Sequence, residues 1–218
     1  MRLLNYVKIY FGATRKQLMD LDKDNKILVN GKKEKLTYKL NDSDIVTIDG
    51  KIIKSFPFSY YLYYKPRGIL SIISDKLESY INNIDIKEKL MVAGRLDKDS
   101  EGLMILTNDP NIIDQISGAN SSIEKEYLVS LINPINDDFI KNMNGKFTIR
   151  NRILKPIKLE IIDNYSFKII LNEGIYHQIR KMVILSGNRV DKLIRIRIGN
   201  YSLDNLNPNE LKKINIVL

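Results

Sequence analysis

The sequence predicts an α+β protein in two parts, a small N-terminal module followed by a larger, strand-rich part. Apolar residues near the N-terminus recur at helical spacing, whereas beyond residue 58 most apolar segments alternate or run continuously, as strands do. A chain of 218 residues suffices for one large domain or two small ones. We place the first domain at 1–50, a linker at 51–58 and the second domain at 59–218.

The first module should begin with two short helices and continue as a small sheet. Apolar residues recur at helical spacing at Leu3, Leu4, Val7 and Phe11. Gly12 ends this helix, and Thr14 and Gln17 have the spacing of a capping box that opens a second one. Strands are expected at residues 26–31 and 44–50, because each apolar run ends in a turn of the Asn-Gly or Asp-Gly type.

The second part is predicted to consist mostly of strands with a few helices. Its strand-like runs are SYYLYYKP at 59–66, LMILTN at 103–108, EYLVSL at 126–131 and FKIILNEG at 167–174. A helix is expected from Tyr176 to Ser186, and Gly187 would end it. No internal repeat or low-complexity tract interrupts the pattern.

The charge balance is basic: 35 Lys and Arg residues against 26 Asp and Glu residues give a net charge of +9. A basic surface favours phosphate-rich partners such as RNA or DNA. A chain rich in Lys, Ile and Asn can also become basic through compositional bias, so charge alone leaves both interpretations open.

Several classes of chemistry are excluded or disfavoured by composition. The chain has no cysteine and one histidine, which excludes disulfides, thiolate zinc sites and multi-histidine metal sites. A Ser-His-Asp triad would have to use His177. Neither GxxxxGK[ST] nor GxGxxG occurs, which disfavours ATP and dinucleotide chemistry. There is no apolar run of about 20 residues and no secretory signal pattern, so we expect a cytoplasmic protein without a membrane helix.

The densest cluster of charged residues is GRLDKDSEGL at residues 94–103. It would fit the start of a calcium-binding loop, but Asn108 stands where such a loop needs a bidentate Glu. It also fits a solvated charged turn. The third interpretation is a nucleophilic or acid–base carboxylate held by a nearby cation.

Two further segments combine polar groups with strand or helix signals. EGIYHQIRKM at 173–182 runs from a strand through a turn into a basic helix, which suits a phosphate-facing surface or an ordinary solvated helix face. Within it, His177 alone is more typical of a structural residue than of a catalytic one. KEYLV at 125–129 reads as a strand with one Tyr on its core face.

Together these motifs resemble those of the RsuA-type ribosomal RNA pseudouridine synthases. GRLDKDSEGLMILTND at 94–109 closely resembles the family signature, and YKPRG at 64–68, EKEYLV at 124–129 and NEGIYHQIRKM at 172–182 match in order. The first 50 residues resemble the RNA-binding domain that this family shares with ribosomal protein S-four. The resemblance is greatest to the branch that acts on small-subunit ribosomal RNA. Pro110 departs from the family pattern, which usually has Gly there.

The resemblance implies a small N-terminal RNA-binding domain of the αL type. A pseudouridine synthase catalytic domain of mixed, mainly antiparallel sheet with a central cleft would follow it. The family breaks the N-glycosidic bond of a uridine in folded RNA, turns the uracil and rejoins it through carbon five, with no cofactor and no metal. By resemblance, Asp97 is the catalytic carboxylate, Arg180 is the cation that pairs with it, and Tyr127 is the active-site Tyr.

The resemblance and the basic charge also imply a set of RNA contacts. The candidates are Lys65, Arg95, Lys181, Arg195, Arg197, Arg15 and Lys16. The expected partner is ribosomal RNA or a ribosomal assembly intermediate, bound by a monomer. Two alternatives stay open, namely the same reaction on large-subunit ribosomal RNA and a non-catalytic RNA-binding or ribosome-assembly protein.

Overall fold

The computed structural model describes residues 1–74, 80–82, 90–118, 121–149 and 151–216. The chain divides into two compact units, Met1–Phe58 and Ser59–Leu218. In the described part of the chain, every helix is too short or too polar to cross a membrane.

The first unit begins with the two helices that the sequence predicts. Helix α1, Leu3–Tyr6, continues into a π-helical turn, Val7–Phe11, and Gly12 ends it in the left-handed conformation with φ 73°. Helix α2, Arg15–Lys23, opens with the predicted capping box. The Thr14 hydroxyl accepts from the Gln17 N–H at 3.3 Å, and the Gln17 amide oxygen accepts from the Thr14 N–H at 2.9 Å. The π-helical geometry was not predicted.

A three-stranded antiparallel sheet completes the first unit. Its strands are β1 Ile27–Val29, β2 Val46–Ile48 and β3 Lys51–Ile52, in the order β1-β2-β3. The helices pack on this sheet through a buried apolar core of Leu3, Val7, Leu18, Ile27, Val29, Val46 and Ile48. Strand β3 begins the segment that was expected to be a linker, so the first two residues of that segment belong to the sheet.

The second unit is dominated by strands, with three helices among its described residues. The strands are β4 Tyr60–Lys65, β5 Leu70–Ile73, β6 Tyr80–Ile81, β7 Met91–Ala93, β8 Glu101–Thr107, β9 Lys125–Leu131, β10 Thr148–Ile149, β11 Arg152–Ile153, β12 Lys158–Ile161, β13 Ser166–Leu171, β14 Val190–Ile198, β15 Tyr201–Ser202 and β16 Leu211–Ile214. The helices are α3 Pro110–Ser117, α4 Asp137–Met143 and α5 Gln178–Leu185.

The main sheet has nine strands among the described residues, in the order β12-β13-β9-β14-β8-β4-β16, with β15 on β14 and β7 on β8. Every pair in it is antiparallel except β14 and β8, which run parallel where Arg195 faces Gly102. We call this parallel pair the seam. The sheet is therefore mixed and mainly antiparallel, as the family resemblance implied.

Strand β8 lies between two apolar cores, which explains its continuous apolar sequence. Leu103 and Ile105 point into the core that includes α3, whereas Met104 and Leu106 point into a core on the opposite face. A strand covered on both faces has no need for polar alternation. Helices α4 and α5 cover the other half of the sheet through a third core around Phe167.

The first residues of α3 and α5 show how the local sequence determines where a helix begins. Pro110 occupies the first position of α3, where its missing N–H leaves no bond unmade, and Asp109 caps the helix by accepting from the Asn111 N–H at 2.9 Å. Pro110, where this chain departs from the family pattern, is thus the first residue of a helix. Helix α5 starts two residues later than predicted, after His177 in the left-handed conformation.

We predict that Gly102→Ala destabilises the second unit by roughly 3 kcal/mol or more. Gly102 has φ 114°, and a Cβ there would lie 2.6 Å from the Arg195 backbone nitrogen across the seam. The free energy of unfolding in urea measures the effect. Gly187→Ala is the control, because Gly187 also has positive φ but has open space around it, and about 1 kcal/mol is expected. Equal losses in the two variants would contradict close packing at the seam.

Candidate active site

The segment 94–100, which we call the Asp97 loop, connects β7 to β8 and is held by side chains from three directions. Ser71 on β5 binds Leu96 twice, because its hydroxyl donates to the Leu96 carbonyl at 2.6 Å and accepts from the Leu96 N–H at 2.9 Å. Arg195 on β14 donates to the carbonyls of Gly94 and Leu103, each at 2.7 Å. The loop is therefore held by β5 on one side and by β14 of the main sheet on the other.

Lys65 at the end of β4 holds the other end of the Asp97 loop. Its ammonium donates to the carbonyls of Pro66 at 2.9 Å, Ile69 at 2.6 Å and Lys98 at 3.4 Å. The Lys98 carbonyl also accepts from the Gly68 N–H at 2.8 Å. Among the described residues, neither Lys65 nor Arg195 has a carboxylate within 4 Å, so backbone carbonyls are what stabilise these two charges.

Burial of these cations changes their titration. Desolvation lowers the pKa of Lys65 to about 8, although the carboxylates of Glu101, Asp97 and Asp99 act in the opposite direction. Desolvation, helped by the charge of Arg195, also lowers the pKa of Lys125 to about 8. The Lys125 ammonium donates to the Ile123 carbonyl at 3.1 Å.

The three residues expected to be catalytic line one pocket of about 740 Å³ in the second unit. Asp97 enters it from the loop, Tyr127 from β9 and Arg180 from α5. Tyr127 is paired across β9 and β14 with Arg195, and its ring packs against the cores on both halves of the sheet. A pocket of this size accommodates a nucleotide.

The structure differs from the sequence-based expectation in the partner of Asp97. In the part of the chain that the structure describes, Arg180 makes no ion pair within 4 Å of Asp97. Its guanidinium instead donates to the Asp99 carbonyl at 3.1 Å and to the Ser100 hydroxyl at 3.4 Å. The basic group beside Asp97 is His177, whose Nε2 lies 3.4 Å from Asp97 Oδ1. Arg180 therefore holds the loop that carries Asp97.

Two of the expected RNA contacts are internal. Lys65 and Arg195 are 0% and 1% exposed, so their charged groups offer no surface to a phosphate. They hold the Asp97 loop, and this corrects the role expected from sequence. Arg197 is neutralised by Glu126 at 2.7 Å and Glu124 at 3.0 Å, which leaves it less charge for RNA.

The remaining expected contacts lie at the surface. Arg95 is exposed and lines the pocket. Arg15 and Lys16 are exposed on the first turn of α2 in the first unit. Lys181 is half-buried on α5, where its ammonium donates to the Tyr176 carbonyl at 2.7 Å.

The pocket includes basic residues that the sequence analysis missed. Arg152 and Lys155 lie on its rim, and both are tied to the buried Glu173. The Arg152 guanidinium is 3.3 Å from the Glu173 carboxylate, which also accepts from the Lys155 N–H at 3.2 Å and the Gln178 amide at 2.9 Å. The spacing of Arg152 and Lys155 is unremarkable in sequence, so no signal pointed to them.

The described residues contain no group of three or more His, Cys, Asp or Glu side chains that could hold a metal ion. Glu101, at the start of β8, pairs with Lys192 at 2.9 Å, which raises the pKa of that lysine.

Comparison with known proteins identifies the family to which this chain belongs. The sequence pattern described as RNA pseudouridylate synthase matches residues 59–184, more than half of the chain. The chain therefore belongs to the RNA pseudouridylate synthase family and is an enzyme of that class. The family inferred from the four motifs is confirmed.

Individual relatives extend the match to the first unit. An uncharacterized RNA pseudouridine synthase of Aquifex aeolicus is 31% identical, covering 98% of this chain and 92% of that protein. Ribosomal small subunit pseudouridine synthase A of Vibrio cholerae is 30% identical, covering 97% of this chain and 95% of the relative. The dual-specificity RNA pseudouridine synthase RluF of Salmonella typhi is 30% identical, covering 98% and 75%.

A solved structure agrees with these relatives. A crystal structure of a pseudouridylate synthase superposes with a TM-score of 0.68 at 28% sequence identity, covering 99% of this chain and 96% of that one. The pseudouridine synthase fold, expected from the motifs, is thereby confirmed.

We predict that the stability of the protein rises with pH between about 8 and 10 through its two buried lysines. Their folded-state pKa of about 8 lies below the ordinary value of 10.5, so in this window the unfolded chain binds more protons than the folded one. The free energy of unfolding then increases with pH, because the penalty for burying charge applies fully below pH 8 and is relieved above it.

Lys125→Met should flatten this rise, which urea midpoints measured from pH 8 to 10 will show. The exposed Lys146→Met is the control and should keep the wild-type slope. A Lys125→Met slope equal to that of the wild type would contradict the lowered pKa.

Proposed function

We propose that this protein isomerises a specific uridine of ribosomal RNA to pseudouridine, with Asp97 as the catalytic carboxylate. The observation that carries the proposal is the placement of Asp97. It lies on a loop anchored by Ser71, Arg195 and Lys65, and it lines the same pocket as Tyr127 in a chain of this family. A fixed carboxylate inside a pocket is suited to nucleophilic or general-base chemistry.

Asp97 would act on the sugar of the target nucleotide. Its carboxylate either attacks the sugar carbon that bears the base or assists removal of a proton from the sugar. In both cases the bond from that carbon to the ring nitrogen breaks, the uracil turns, and a new bond forms to carbon five. Formation of the new bond displaces the Asp97 carboxylate from the sugar, or the sugar regains the proton that it lost. Carbon five then loses its proton and the ring nitrogen that had held the sugar gains one, so uridine and pseudouridine have the same composition.

Tyr127 and Arg180 support this step in different ways. Tyr127 presents a ring on which an extruded base can stack and a hydroxyl that can move a proton. Arg180 fixes the end of the Asp97 loop through the Asp99 carbonyl and the Ser100 hydroxyl, and it adds positive charge to the pocket. The exposed Arg95, Arg152 and Lys155 then provide cations for the phosphates beside the target uridine.

We propose small-subunit ribosomal RNA as the substrate, free or within an assembly intermediate. The support is the resemblance of residues 172–182 to the small-subunit branch, together with 30% identity to ribosomal small subunit pseudouridine synthase A of Vibrio cholerae over 97% of this chain. A uridine in large-subunit ribosomal RNA is the alternative. Mapping pseudouridine in both ribosomal RNAs, with and without this protein in the cell, decides between them.

The first unit is proposed to be an RNA-binding domain that adds affinity. Residues 1–50 carry ten basic and seven acidic residues, a net charge of +3. Arg15 and Lys16 project from the start of α2, where backbone N–H groups and the helix dipole also favour a phosphate. The catalytic candidates all lie in the second unit.

We predict that Asp97→Asn lowers the rate of isomerisation by roughly a thousandfold or more while RNA affinity stays within a few fold. The amide keeps the size of the side chain and removes the negative charge. Tritium release from RNA labelled at carbon five of uridine measures the rate. Asp99→Asn removes a charge from the same loop and should stay within a few fold of wild type. An active Asp97→Asn variant would mean that another group performs the chemistry.

We also predict that Arg15→Ala combined with Lys16→Ala weakens RNA binding without slowing the reaction at saturating RNA. Removing two phosphate contacts should reduce the slope of log affinity against log salt by about one to two. Binding measured at several salt concentrations tests this, with the exposed Lys146→Ala as the control. An unchanged slope would show that α2 does not face the RNA.

A further inference from the structure

The geometry around Asp97 points to His177 as a positioning residue that holds the catalytic carboxylate, an inference that rests on the proposed function. His177 was interpreted from sequence as structural, and neither the family match nor the trio taken from the motifs assigns it a role. Within the described residues, it is the only basic side chain that comes within 4 Å of the Asp97 carboxylate.

The first observation is the contact itself. His177 Nε2 lies 3.4 Å from Asp97 Oδ1, and the two side chains are 36% and 34% exposed. An imidazole presents an N–H at Nε2 in one neutral tautomer and in the protonated form, and either can be donated to a carboxylate oxygen. Arg180 is occupied by the Asp99 carbonyl and the Ser100 hydroxyl, which leaves the imidazole as the group that can orient Asp97.

The second observation is that His177 does not do what its position in the helix normally requires. It is the N-cap of α5, yet its side chain makes no capping hydrogen bond, and its backbone is left-handed at φ 55° and ψ 32°. N-cap residues usually have extended backbones and accept from the first turn. A residue other than Gly is strained in the left-handed conformation, and such strain persists where other interactions compensate for its cost in free energy. In this conformation the imidazole Nε2 lies 3.4 Å from Asp97 Oδ1.

The third observation is that the imidazole plane is fixed by its neighbours. The His177 ring stacks on the Tyr176 ring at 3.8 Å between centroids and 18° between planes. Lys181 locks the same turn, because its backbone N–H donates to the His177 carbonyl at 3.0 Å and its ammonium donates to the Tyr176 carbonyl at 2.7 Å. A ring held in this way can fix the rotamer of the carboxylate that it touches.

Three substitutions at His177 separate positioning of Asp97 from two alternative roles, which are shaping the turn before α5 and stacking on Tyr176. His177→Gln keeps an N–H donor at about the reach of Nε2. His177→Phe keeps an aromatic ring on Tyr176 and loses the donor. His177→Gly relieves the left-handed strain and loses both. Single-turnover rates at saturating RNA, KM for RNA and urea stability are measured for each.

Positioning predicts a distinct order of rates. His177→Gly and His177→Phe should lose between about tenfold and a hundredfold in the chemical step with KM nearly unchanged, and His177→Gln should recover most of that loss. If His177 only shapes the turn, His177→Gly reacts at least as fast as the wild type, and His177→Gln does not recover the rate that His177→Phe loses. If it only stacks, Phe keeps the wild-type rate. Either of these orders overturns the inference.

A second readout keeps this test independent of the proposed function. His177 is the only histidine in the chain, so its imidazole ¹⁵N signals are unambiguous. The contact predicts that the Nε2 resonance of the full-length protein shifts in Asp97→Asn and stays in place in the Asp99→Asn control. Identical Nε2 signals in wild type and Asp97→Asn overturn the inference. An absence of pseudouridine in every ribosomal RNA tested overturns the proposed function alone, because the ¹⁵N comparison still judges the contact.

Discussion

The site depends on one physical arrangement, the bonding of buried cations to backbone carbonyls around the Asp97 loop. A charge that leaves water must recover its lost hydration from polar partners. Lys65 does so with three carbonyl oxygens and Arg195 with two. The carbonyls of Gly94 and Lys98 belong to the loop, that of Leu103 to β8, and those of Pro66 and Ile69 to the segment between β4 and β5. The need to satisfy the two charges therefore also determines where Asp97 lies.

The parallel pairing of β8 and β14 at the seam brings Arg195 within bonding distance of the Asp97 loop. A parallel pair in the middle of an otherwise antiparallel main sheet brings the start of β8 next to Arg195. Gly102 lets the two backbones approach where any side chain would collide. Tyr127 sits on the next strand, opposite Arg195, so one residue of β14 relates the tyrosine to the loop that carries Asp97.

Local features of the fold could be predicted from sequence because local physics determines them. The capping box at Thr14, the end of the first helix at Gly12 and the doubly buried strand at 103–108 each follow from short-range patterns. The π-helical turn at Val7–Phe11 has the same apolar spacing as an ordinary helix, so the pattern did not distinguish the two. The family followed from four motifs in order, and the comparisons agree.

The partners of charged side chains could not be predicted in the same way. Lys65 and Arg195 look like surface residues in sequence, because basic residues usually are, and only tertiary packing encloses them. The expected pairing of Arg180 with Asp97 assumed a direct contact, whereas the guanidinium reaches the loop two and three residues further on. A lone histidine in a turn gives no sign of its neighbour 80 positions earlier in the chain.

The anchoring of the Asp97 loop through main-chain atoms has a consequence for divergence among these enzymes. The hydrogen bonds to Lys98 and Asp99 use backbone carbonyls, so they do not depend on which side chains these two exposed positions carry. Mutation can therefore change the surface that Lys98 and Asp99 present to solvent while the loop keeps its path. The exposed side chains and the backbone path of one short segment can then evolve separately.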